Sequence, residues 1–183
     1  MGLFGFGGKK EKTSSAGKGD KISLTGCADA ATMKAIYTAG VREVDIDINT
    51  SGDSLSLSHG PVSVKGESAV TTYLDRKGTG ISLRPKKARI LGEQNYWIDL
   101  SCQFLDKGEK VDAILNRLNE NLANQEFVAG PLSLADPMVA GSIAMLKKSG
   151  NYPSGLSNID AWLSRVEQAI LQNLRATYMS HLS

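Results

Sequence analysis

Polar and apolar residues alternate over Lys21-Ile22-Ser23-Leu24-Thr25, the two-residue period of a strand. From Asp29 the period changes: Met33, Ile36 and Tyr37 recur at three- and four-residue spacing, which predicts a helix ended by a left-handed Gly40. Val44-Asp45-Ile46-Asp47-Ile48 then alternates as a second strand, so the unit reads strand, helix, strand. The stretch from Asn49 to Gly60 is rich in Ser, Gly and Asp, with Leu55 and Leu57 at strand spacing. Pro61-Val62-Ser63-Val64 is a further short strand, and a helix is expected from Glu67 through Leu74.

Beyond Pro85 the texture is helical. Residues Lys86 to Leu105 carry Ile90, Tyr96, Trp97, Leu100 and Phe104 and predict a long, largely buried helix. Val111, Ile114, Leu115, Leu118 and Leu122 form one apolar stripe with Asn, Arg and Glu opposite, the cleanest amphipathic helix of the chain. Pro137 to Leu146 predicts a shorter apolar helix, and Ile159, Trp162, Leu163, Val166, Ile170 and Leu174 a terminal one. These patterns give an α/β half over residues 21–80 and an all-helical half over 81–183, after a flexible tail at 1–20.

The tail combines Gly, Ser and Lys with three large apolar residues, Leu3, Phe4 and Phe6, too few to offset ordering entropy. Those three side chains are either part of a disordered start or a docking peptide for a partner's groove. At 183 residues and 41% hydrophobic positions, the chain is long enough for one substantial core or two small halves sharing an interface. The net charge is +2, of which +3 falls in the first 21 residues, so the remainder is close to neutral. That balance lacks the basic field that nucleic-acid binding uses, and no apolar run reaches the ~20 residues of a bilayer span. Cys27 and Cys102 are too few for a disulfide framework and lack metal-ligand spacing, which points to a reducing, intracellular compartment, cytoplasmic or organellar, and to no metal. His59 and His181 stand alone, and Cys102, beside Leu100 and Phe104, reads as a core residue.

Ser133 and Asp136 have the spacing of a capping box: the Ser hydroxyl accepts from the backbone three residues on, and the Asp carboxylate reaches back to the Ser N–H. In Phe127-Val128-Ala129-Gly130-Pro131-Leu132-Ser133-Leu134-Ala135-Asp136 this box resembles the carboxy-terminal signature of glutathione transferases. Gly66-Glu67-Ser68-Ala69-Val70-Thr71-Thr72-Tyr73-Leu74 resembles another segment of that family, and Tyr152-Pro153 with Trp162 and Val166 its ending. The resemblance spans residues 21 to 169 and implies a shortened thioredoxin-like half followed by a glutathione-transferase-type helical bundle.

It also implies a site. Glu67 and Ser68 are expected at a helix start that receives the γ-glutamyl carboxylate of glutathione, unless they only cap their own helix. Pro61 and Val62 are in place of the family's cis-proline turn, with the following hairpin reduced to one strand. Counting back from Gly40, the catalytic position falls at Gly26 or Cys27. A Cys27 thiol with a pKa lowered by the helix N-terminus would serve as nucleophile; otherwise Cys27 is a small buried residue at a turn. Two readings of function follow. One is a non-catalytic protein-interaction or assembly subunit of a larger complex, like the family's members in translation-factor and aminoacyl-tRNA synthetase complexes. The other is a thiol-dependent glutathione transferase or reductase using Cys27. No cofactor is implied beyond glutathione as a possible ligand, and the family's homodimer is a possible state.

Overall fold

The computed structural model describes residues 21–170 together with Ser180; Leu3, Phe4 and Phe6 of the tail, Leu174 and His181 lie outside the described residues. Strand β1 (Ile22–Thr25) leads into helix α1 (Ala30–Val41), which returns to β2 (Ile46–Asn49). β1 and β2 pair in parallel with Ile22 opposite Ile46, as the βαβ reading requires. Strands β3 (Ser56–His59) and β4 (Val62–Lys65) follow, then α2 (Glu67–Lys77). The sheet order is β2-β1-β3-β4, with β3 antiparallel to both of its neighbours.

The hairpin is therefore complete rather than reduced to one strand. Leu57, read as belonging to a minor strand, is 1% exposed at the centre of the sheet. The chain is shortened elsewhere: residues 50–55, where the family resemblance implies a helix, are a six-residue connection between β2 and β3. Gly40 also differs from expectation. It lies inside α1, where a Cβ would come within 2.6 Å of Ile170, and the left-handed residue after the helix is Glu43, at φ 56°.

The helical half comprises α3 (Ala88–Gln103), a short 3₁₀ turn at Leu105–Lys107, α4 (Val111–Leu122), α5 (Ala135–Lys148) and α6 (Ser157–Gln168). The stripe on α4 is buried as its spacing predicts, with Ile114, Leu115, Leu118 and Leu122 in the core. α3 buries less than the sequence suggested: only Gln94, Trp97 and Ser101 are fully enclosed, because one face remains on the surface. No helix among the described residues is long and apolar enough to cross a membrane.

One continuous core joins the two halves, and the contact of α1 with α5 is the most extensive between elements of the described residues. Gly141 makes it possible. A Cβ there would lie 2.6 Å from the backbone N and 2.7 Å from the Cα of Lys34, closer than packed helices tolerate. Gly141→Ala gains ~1 kcal/mol of helix propensity, but it overpacks this crossing at a cost of up to roughly 3 kcal/mol. A net loss of stability is expected, read as a lower midpoint in urea.

Candidate functional site

Cys27 follows β1 and precedes α1, where the family resemblance places a nucleophile. The N-cap of α1 is Asp29, whose Oδ1 accepts from the Thr32 N–H at 2.8 Å while Oδ2 accepts from the Cys27 thiol at 2.9 Å. This carboxylate reverses the expected electrostatics. Its hydrogen bond, aided by burial and by its negative charge, pushes the Cys27 thiol above its usual value, not below. Burial alone would raise Asp29, but the hydrogen bonds from Cys27 and Thr32 outweigh it and hold the carboxyl low. A thiol kept protonated in this way is a weak nucleophile. Cys27 does open onto a cleft of about 190 Å³ between the halves, lined also by Thr32, Met33, Thr50 and Met145. A larger cleft of about 360 Å³, walled by Asp29, Leu105, Asp106 and Ser142, shares Ala28 and Met145 with it.

The residues expected to hold glutathione are placed differently. Pro61 is in the Gly60-Pro61 turn of the β3–β4 hairpin, between His59 and Val62, and among the described residues no peptide bond is cis. It is therefore not the family's turn proline. Val62 starts the edge strand and is 39% exposed. Glu67 and Ser68 do open a helix, but Gly66 is the N-cap and no side chain caps it, so the self-capping reading fails as well. Ser68 is exposed. Neither Glu67 nor Ser68 lines the cleft onto which Cys27 opens.

The Glu67 carboxylate is turned inward to a cation that periodicity did not single out. Lys34 of α1 is fully buried, and its Nζ lies 2.5 Å from Asp106, 3.2 Å from Glu67 and 3.3 Å from the Cys102 sulfur. An ammonium in such a place must be paired, since isolated burial of a charge is prohibitive. Burial works against the charged lysine, but the attraction and hydrogen bond of Asp106, then Glu67, keep its pKa above the ordinary value. Cys102 is not the fully enclosed core residue expected. Half-buried, it donates to Glu67 Oε1 at 3.0 Å, and desolvation pushes its thiol up to about 11. Glu67, Cys102 and Asp106 bring three ligand-type atoms within 4.8 Å of one another, and the Lys34 ammonium, within reach of each, is the cation they hold. The one sequence signal for this cluster is a single charge inside the otherwise uncharged run Ala30–Val41.

Asp136 is the second buried hub. Helix α5 starts at Ala135, two residues after Ser133, and Leu134 takes the cap position without a side-chain bond. Half of the capping box is present: Asp136 Oδ2 accepts from the Ser133 N–H at 2.8 Å. The other half is reversed, because the Ser133 hydroxyl donates to the same oxygen at 3.2 Å instead of accepting from the helix. Oδ1 accepts from the Val128 N–H and the Trp162 indole N–H, each at 2.9 Å. One carboxylate thus joins the Phe127 loop, the start of α5 and helix α6. His59, read as a solitary loop residue, ends β3 with its Nδ1 2.6 Å from the Tyr73 hydroxyl.

No protein-family model matches the sequence, and no curated protein matches it. Solved structures do. A delta-class glutathione transferase from Nilaparvata lugens is similar with a TM-score of 0.69 at 20% identity, over 88% of this chain and 98% of that one. Glutathione S-transferase 1-6 from Anopheles dirus species B gives 0.70 at 14% identity, over 87% and 94%. FzlA from C. crescentus gives 0.71 at 13% identity, over 87% and 92%. The chain has the glutathione-transferase fold: a thioredoxin-like half followed by the family's helical domain. At these identities the likeness establishes the fold and leaves the function to the site.

Proposed function

We propose that the protein is a non-catalytic glutathione-transferase-like module that acts by binding other proteins in a larger assembly. The observation that carries this reading is that both groups the fold offers for glutathione chemistry are committed to internal contacts. The Cys27 thiol donates to Asp29, and the Glu67 carboxylate receives Lys34 and Cys102. What remains for the tripeptide is the open start of α2. A carboxylate at an exposed helix end gains ~0.3–1 kcal/mol, against the ~4 kcal/mol of even millimolar binding.

The enzymatic reading has one observation in its favour, the cleft beside Cys27. Calorimetric titration with glutathione, combined with turnover of a fluorogenic electrophile, separates the two. The module is expected to show no saturable heat below millimolar glutathione and no turnover above background, with Cys27→Ser and Ser68→Ala indistinguishable from wild type. Micromolar binding lost in Ser68→Ala, with turnover lost in Cys27→Ser, would establish a thiol-dependent transferase instead.

A further inference from the structure

The near-zero net charge conceals a cationic segment, bordered by the Glu43 carboxylate that accepts from the Thr79 hydroxyl. Residues 76–91, RKGTGISLRPKKARIL, contain six Lys or Arg and no acidic residue, in a chain whose net charge is +2. All six cations, Arg76, Lys77, Arg84, Lys86, Lys87 and Arg89, are exposed. Arg84 and Arg89 each meet one carboxylate, Asp75 and Glu93, at 2.5 and 2.6 Å. The same segment carries Ile81, 69% exposed, and Leu91, 43% exposed, two of the three large apolar side chains left in solvent among the described residues.

This is a held surface. The buried guanidinium of Arg42 donates to the Gly78 and Gly80 carbonyls and to the Asp75 carbonyl. Three residues on, Leu83 is completely buried and its carbonyl accepts from the Leu134 N–H. Ile81 lies between these two anchors and projects outward because its neighbours are fixed. Lys86, Lys87 and Arg89 also crowd the start of α3, whose first turn has no acidic residue and no side-chain cap. Cations at the positive end of a helix are unfavourable, and a local conflict of this kind is relieved when an external anion arrives.

We propose that this face, the connection between the two halves with the ends of α2 and α3, docks on the surface of a membrane containing anionic lipids. The cations meet headgroup phosphates while Ile81 and Leu91 enter the boundary with the acyl chains. A bilayer accepts a projecting side chain without a matching pocket. Nucleic acid fits less well, since the segment holds no aromatic residue on which a base would stack. A second copy in an isologous pair would set like charge against like charge.

The test is co-sedimentation of the full chain with vesicles of phosphatidylcholine alone and of phosphatidylcholine mixed with phosphatidylglycerol, at low and high salt. Binding is expected only to the mixed vesicles and is expected to weaken as salt rises. The double substitution Lys86→Glu with Lys87→Glu should weaken it at least about tenfold and flatten the salt dependence. Ile81→Ser should weaken it several-fold and leave the salt dependence unchanged. Both changes lie on exposed positions, so unaltered melting temperatures confirm that the variants are folded. The proposal fails if the mixed vesicles do not sediment the protein, or if the variants bind them as the wild type does. Tighter binding to polyuridylate, or to a glutamate-rich peptide interspersed with leucine, would assign the face to RNA or to an acidic protein and overturn it equally.

Discussion

Asp136→Ala is expected to lower the free energy of unfolding by roughly 3–5 kcal/mol. Four donors lose their acceptor at once: the N–H groups of Val128 and Ser133, the Ser133 hydroxyl and the Trp162 indole. Each is enclosed, and a buried donor left without a partner costs ~1–3 kcal/mol. Relaxation of the Phe127 loop keeps the total below the sum. Trp162 is fully buried and reports the change directly, so urea unfolding followed by tryptophan fluorescence gives both the midpoint and the local environment. A midpoint within error of wild type would mean that the carboxylate does not tie α6 to the start of α5.

The same residue sets a pH dependence. Burial disfavours the charged carboxylate more than its four donors favour it, which pushes Asp136 up to about 6 from 3.8. A group with a raised folded pKa holds its proton more tightly in the native state than in the unfolded chain. Its contribution is therefore full below about pH 4 and is lost as pH rises to about 6, on the order of 3 kcal/mol in all. Asp136→Asn, which cannot titrate, is expected to remove that slope between pH 4 and 6 while retaining a side-chain acceptor for two of the donors.

The fold was legible wherever a periodic pattern coincided with one-sided burial. The α4 stripe reads correctly because each residue at that spacing is buried, and β1 and β2 alternate because the sheet has an enclosed face and a more open one. The β3–β4 hairpin was obscured for the opposite reason. β4 is an edge strand with most of its side chains exposed, so Val62 and Val64 carry no alternation of burial, and the Gly60-Pro61 turn gave Pro61 a false role. The candidate site was legible as positions and not as chemistry. Counting placed Cys27 correctly after β1, but whether its thiol is activated depends on where the Asp29 carboxylate points, two residues away. Glu67 was found as a helix start, yet its partner is 33 residues earlier on a different helix, a separation at which no local pattern operates. The basic face was hidden by averaging, since six cations in one segment are cancelled in the net charge by acids elsewhere.

Lys34→Ala is expected to destabilise the protein by about 3–5 kcal/mol, because it removes the shared cation of a buried cluster and leaves its anions in place. The Glu67 and Asp106 side chains are only 23% and 18% exposed, and without the ammonium that they and the Cys102 sulfur face nothing positive balances them. The cluster joins α1 and α2 of one half to α3, the 3₁₀ turn and, through the 2.6 Å bond from Ser142 to Asp106, α5 of the other. Its loss therefore loosens the interface between the halves. One comparison separates this electrostatic cause from a simple packing defect. The triple variant Lys34→Met, Glu67→Gln, Asp106→Asn removes the anions together with the cation and should recover most of the lost stability, since an intact buried ion cluster contributes little net free energy over neutral residues of similar shape. A deficit that persists in the triple variant would assign the loss to the cavity left by the lysine stem against Gly141, and would show that the charges do not hold the two halves together.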